Sequence, residues 1–142
     1  MRVLIVEDEE PARLGLSAVL SHERGHSVDL AASIDAAADL MRRHAYDLII
    51  LDVMLEGGQT LKDVPFRVAG KEMLLRLRSG HLGELKARAG TPVVAITAVS
   101  DVEVNQALEE AGNILVLAKP IDPDDALQRI EAFLKERGDE CA

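Results

Sequence analysis

The sequence predicts an α/β fold, a doubly wound parallel sheet of five strands in the order 2-1-3-4-5. Three observations predict it. Short apolar runs alternate with amphipathic helical patterns along the whole chain, as βαβ crossovers require. Four of the runs are nearly continuous in Val, Leu and Ile, as strands covered on both faces should be. Each of those four also ends in a reactive group: Glu7-Asp8, Asp52, Thr97 and Lys119. In an open parallel sheet, ligands bind at that carboxyl end of the strands.

In chain order, residues 2–6 form the first predicted strand. Residues 10–22 form a helix, with Leu14, Leu16, Val19 and Leu20 at helical spacing and Pro11 near its start. Ser27–Ala31 is a weaker second strand. A helix over about 34–44 follows, with Ser33 as its N-cap. The third strand is 47–51, running into Asp52. An irregular stretch from Leu55 to Ala69 carries Gly57-Gly58 and Pro65. A helix over about 71–79 comes next, and a short extra helix is expected within His81–Ala89. The fourth strand is 92–96, followed by a helix over about 101–111. The fifth strand, 114–118, leads to a last helix over about 123–136.

Composition removes whole classes of function. At 142 residues the chain is read as a single domain, 1–142, with no output domain. Net charge is −9, from 16 basic and 25 acidic residues, which opposes binding to nucleic acid. Aromatics are only 2%, too few for base-stacking platforms. The single cysteine, Cys141, permits no internal disulfide and suits a reducing cytoplasm. No apolar run approaches the ~20 residues of a membrane-spanning helix. The acidic first turn, Glu7 to Glu10, would repel a pyrophosphate, so a dinucleotide site is excluded.

The order 2-1-3-4-5 makes the first and third strands neighbours, so Glu7, Asp8 and Asp52 converge. Two carboxylates ~4 Å apart at a partly buried site repel by ~4 kcal/mol. Three of them need counter-charge. Lys119 supplies one positive charge, and a hard divalent cation such as Mg²⁺ supplies more.

The segments VLIVEDEE, DLIILDVML, PVVAITA and LAKP, in this order and strand context, resemble the receiver domain of two-component response regulators. The nearest type is the stand-alone, chemotaxis-regulator-like receiver, with a flavodoxin-like fold. The resemblance implies that Asp52 accepts a phosphoryl group from a phosphohistidine. It implies Mg²⁺ held by Asp8, Asp52 and the backbone carbonyl of Met54, with Glu7 acting mainly through water. Thr97 would donate to a phosphoryl oxygen, Lys119 would pair with the phosphate, and a cis peptide bond would precede Pro120. The implied partners are a histidine kinase or histidine phosphotransfer protein and a downstream protein target. Such a chain is not an enzyme acting on external substrates. The alternative reading is a pseudo-receiver, a constitutive interaction module.

The chain departs from the family pattern at several places. Val116 stands where a Tyr or Phe is usual three residues before the lysine. About ten residues are inserted after Asp52, making Gly70 the counterpart of a family glycine. The inserted segment, with Phe66, is expected either to lie over the phosphorylation site as a lid or partner contact, or to be a mobile surface loop. Ser79–Gly90 is longer than the usual link. Met54 and Val99, both apolar, occupy positions that tune attack by water, which implies a long-lived phosphoryl group.

Overall fold

A computed structural model describes residues 1–86, 89–98 and 102–141. Five parallel strands, β1 (Arg2–Val6), β2 (Ser27–Ala31), β3 (Leu48–Asp52), β4 (Val93–Thr97) and β5 (Ile114–Ala118), lie in the order 2-1-3-4-5. The helices are α1 (Glu10–Ala18), α2 (Ile34–Arg43), α3 (Ala69–Ser79), α4 (Val102–Glu110) and α5 (Pro123–Cys141). The start expected for the fourth helix at 101, like Val99, lies outside the described residues.

Strand alternation divides the core between two layers. Leu4, Val6, Ile49, Leu51, Val93 and Ala95 pack against α2, α3 and α4. Val3, Ile5, Leu48, Ile50, Val94 and Ile96 pack against α1 and α5. Every residue of β3 and β4 is buried, which explains their unbroken apolar sequence. The pairing Val6↔Leu51 and Ile96↔Asp52 brings the ends of β1, β3 and β4 level.

The ends of the helices follow local chemistry. The Ser33 hydroxyl accepts from the Ala36 N–H at 3.1 Å and opens α2 as predicted. Gly80, with φ of 78°, closes α3 in the left-handed region. The helix expected over 10–22 is α-helical only to Ala18 and then continues as one wider π turn, Val19–Glu23. That turn keeps Val19 and Leu20 in the core before Gly25 ends it. α5 runs on to Cys141, past the expected 136, since a lone Gly138 weakens a helix without stopping it.

The extra helix expected within His81–Ala89 is not formed by the described residues there, which make turns. Their organiser is Arg78, whose guanidinium donates to the carbonyls of Ala89, Thr91, Gly112 and Asn113. Val116 is a half-buried strand residue in register with Ala95. No helix among the described residues is long and apolar enough to cross a membrane.

The inserted segment packs onto the α2–α3–α4 layer. Leu55 and Leu61 are buried in the α2–α3–α4 layer. The Asp35 carboxylate, in the first turn of α2, accepts from the Gln59 N–H (3.0 Å), the Thr60 N–H (2.8 Å) and the Thr60 hydroxyl (2.6 Å). Phe66 opens a short 3-10 turn, Phe66–Val68, and is 44% exposed. Gly70 then fits against the Asp52 carbonyl and Val53, and its N–H donates to the Val53 carbonyl at 2.9 Å. A Cβ there would collide with this backbone, which accounts for the glycine and starts α3 two residues early.

The Asp35 bonds predict a measurable anchor. The Thr60 hydroxyl, then the Gln59 and Thr60 amides, hold the Asp35 carboxyl below its ordinary value of 3.8. A depressed carboxyl stabilises above its unfolded pKa, and that contribution fades as pH falls through the folded value. Asp35→Ala should cost about 1–2 kcal/mol in urea unfolding at pH 7. The gap from wild type should narrow as the pH drops below 3.8. Equal stabilities at pH 7 would mean that the insert is not held by this residue.

Candidate functional site

The site is built from strand ends. Asp52 closes β3 with 1% exposure. Glu7 follows β1 and is 2% exposed; its N–H donates to the Ala31 carbonyl at 3.0 Å, and its own carbonyl accepts from Arg13 at 2.9 Å. Asp8, next in the chain, is exposed. It does not cap α1, whose N-cap position is Glu9. Carboxylate oxygens of Glu7, Asp8 and Asp52 lie within 4.8 Å of one another. Convergence of these three is what the adjacency of β1 and β3 predicts.

Lys119, just past β5, reaches across. Its Nζ is 3.1 Å from Asp52 Oδ2, 3.4 Å from Glu7 Oε1 and 3.6 Å from Glu9 Oε1. The other Asp52 oxygen, Oδ1, accepts from the Met54 N–H at 3.0 Å. Thr97 ends β4 at 3% exposure, and its carbonyl accepts from the Lys119 N–H at 2.9 Å. The backbone therefore fixes the threonine and the lysine relative to each other. The Lys119–Pro120 peptide bond is cis, as the resemblance to receiver domains implies.

The electrostatics follow from crowding. Burial, then the hydrogen bond and charge of Asp52, push the Glu7 carboxyl up to about 8, and Lys119 pulls it back only in part. For Lys119 burial acts downward, yet the hydrogen bond and charge of Asp52, with Glu7 and Glu9, hold it above the usual lysine value. Positive charge is in short supply at this site. Glu7 Oε2 is a buried acceptor with no donor among the described residues. An orphaned oxygen beside two further carboxylates fits a hard divalent cation, which prefers oxygen donors. A cation there would take over the neutralisation that a proton on Glu7 otherwise provides.

Beside Lys119 lies a cleft of about 610 Å³, lined by Glu7, Glu9, Pro11, Leu16 and Ile121 among others. Among the described residues, none of the inserted segment lines it. The sequence reading misses two contributors. Glu9 pairs with Lys119, and Arg13 ties down the Glu7 backbone. The run of four acids from Glu7 to Glu10 was the signal for the first, and nothing marked the second.

Comparison with known proteins agrees with this construction. The family model for the response regulator receiver domain matches residues 3–131. The response regulator ArlR of Staphylococcus aureus (strain Mu50 / ATCC 700699) is 32% identical over 136 residues, covering 96% of this chain and 53% of that protein. The chain thus spans about half the length of the curated relatives it matches. Two solved structures share the fold. A CheY-like receiver domain protein from Methanospirillum hungatei JF-1 has a TM-score of 0.77 at 24% identity, covering 98% of this chain and 97% of that one. The chemotaxis response regulator CheY4 of Vibrio cholerae has a TM-score of 0.71 at 24% identity, covering 93% and 97%.

Removing Lys119 should expose the charge conflict. In metal-free buffer at pH 7, Lys119→Met should lose about 2 kcal/mol of stability, because the buried Asp52 carboxylate is left without its ammonium. Urea unfolding in EDTA reads the difference. A variant as stable as wild type would mean that the lysine does not neutralise the site.

Proposed function

The chain belongs to the response regulator receiver domain family, and on that premise we propose that it takes a phosphoryl group onto Asp52. The donor on this reading is a phosphohistidine of a histidine kinase or histidine phosphotransfer protein. One observation carries the assignment. Asp52 is a buried strand-end carboxylate with one oxygen held by an amide, the other by Lys119, and two more acids within 4.8 Å.

Transfer would break the phosphorus–nitrogen bond of the donor, with the electron pair leaving on the imidazole. A new bond would form between phosphorus and an Asp52 oxygen. Such a reaction depends on in-line placement and charge neutralisation rather than on further covalent help. The Met54 N–H orients Asp52 through Oδ1. Lys119 is within reach of Oδ2 and would follow the charge onto the phosphoryl oxygens. Thr97, fixed to Lys119 through the backbone, would donate its hydroxyl to one of those oxygens. Asp8 and Asp52, with the Met54 carbonyl, would hold Mg²⁺, and Glu7 would act mainly through water. When bound there, Mg²⁺ supplies positive charge to the transferring group.

Receiver domains are phosphoacceptors rather than catalysts acting on outside substrates. On this reading the chain works in the cytoplasm, and phosphorylation changes its binding to a downstream protein. The half-length match to its curated relatives leaves the output to that partner or to further sequence.

The test is direct. Incubation with acetyl phosphate and Mg²⁺ should add one phosphoryl mass to the intact chain. Asp52→Asn should abolish the addition, and EDTA should abolish it in wild type. Persistent labelling of Asp52→Asn would move the acceptor elsewhere.

A further inference from the structure

Three carboxylates share the Lys119 ammonium, and they are not equivalent. Asp52 and Glu7 are buried, whereas the Glu9 side chain is 68% exposed. Glu9 occupies the N-cap position of α1 with extended backbone, φ −81° and ψ 114°, and its side chain makes no capping bond. A short Asp or Ser there would bind the free amides of the first turn. The longer Glu9 side chain reaches Lys119 Nζ instead, at 3.6 Å. Glu9 and Lys119 also line the same cleft of about 610 Å³. Glu9 is therefore the partner of Lys119 on the side open to solvent.

We propose that Glu9 is a positioning residue that selects phosphoryl donors by charge. It holds Lys119 from the solvent side and presents one negative charge to any donor approaching Asp52. This rests on the reading of Asp52 as phosphoacceptor. Small donors feel that charge in proportion to their own. A protein-borne phosphohistidine can offset it with contacts elsewhere on its surface.

Two small donors separate the effect. Acetyl phosphate is doubly negative at neutral pH. Phosphoramidate, with its nitrogen protonated, carries one net negative charge. With the first, the bond to the acetyl oxygen breaks and acetate leaves. With the second, the phosphorus–nitrogen bond breaks and ammonia leaves. In both, the new bond is from an Asp52 oxygen to phosphorus. One extra unit of charge several ångströms from Glu9, at intermediate dielectric, corresponds to roughly a three- to tenfold rate difference.

The experiment measures initial rates of labelling of the full chain with Mg²⁺ by intact mass, using both donors. Variants are Glu9→Gln, Glu9→Asp and the charge-matched control Glu10→Gln. The acetyl phosphate to phosphoramidate rate ratio should rise roughly three- to tenfold in Glu9→Gln, change by less than about twofold in the other two, and fall back at ~1 M salt. Independently, the Lys119 Nζ resonance of the metal-free chain should shift in Glu9→Gln and stay in place in Glu10→Gln. An unchanged ratio in Glu9→Gln, an equal rise in Glu10→Gln, or an unmoved Lys119 resonance would overturn the proposal. If neither donor labels the wild type, the phosphoacceptor reading fails as well; a labelled wild type with an unchanged ratio removes only the role of Glu9.

Discussion

The interaction on which the site depends is the contact of one ammonium, Lys119, with two buried carboxylates, Asp52 and Glu7. Placing acids at the ends of adjacent buried strands is unfavourable unless positive charge meets them. β5 delivers that charge from two strands away, across the end of β4. The hydrogen bond from the Lys119 N–H to the Thr97 carbonyl fixes where the lysine starts its reach. Neutralisation remains incomplete: Glu7 is pushed up to about 8 by burial and by Asp52, and one of its oxygens has no donor among the described residues. A buried oxygen without a donor beside two further carboxylates suits a hard cation, and the chemistry proposed for Asp52 would draw on the same groups.

The surrounding fold holds these groups still. β3 and β4 are buried along their whole length, so the backbone under Asp52 and Thr97 has little freedom. The inserted segment adds to this. It leaves directly from Asp52-Val53-Met54, buries Leu55 and Leu61, is pinned by Asp35, and returns through Gly70 against the Asp52 carbonyl. An insertion at this place thus braces β3 from the α2 side, while the cleft beside Lys119 stays open on the α1 side.

Much of this was legible in the sequence, for identifiable reasons. Continuous apolar runs such as Leu48–Leu51 arise only where both faces are covered, so strand identity and parallel pairing followed. The reactive residues sit at the ends of those runs, so Glu7, Asp8, Asp52, Thr97 and Lys119 could be named from spacing. What escaped depended on contacts between distant polar residues. Asp35 reads as an ordinary first-turn acid of α2, and nothing local ties it to Thr60, 25 positions away. Arg78 reads as a surface cation near a helix end, yet its carbonyl contacts organise the turns that a helical reading of His81–Ala89 missed. Widening of α1 into a π turn leaves no mark in residue type, because Val19 and Leu20 are buried in either geometry. Glu9 was hidden by its neighbours, since four consecutive acids do not reveal which of them turns toward the lysine.

The claim that this charge-deficient cluster is completed by a divalent cation is tested most directly by thermal unfolding across a Mg²⁺ titration. A ligand that binds only the folded chain raises its stability in proportion to the logarithm of one plus its concentration over Kd. Wild type should show a midpoint that climbs with Mg²⁺ and returns to its starting value in EDTA. Asp8→Asn, which removes an exposed carboxylate and leaves the Lys119 contacts untouched, should lose most of that climb. A wild-type midpoint indifferent to Mg²⁺, or an Asp8→Asn response equal to wild type, would contradict the account.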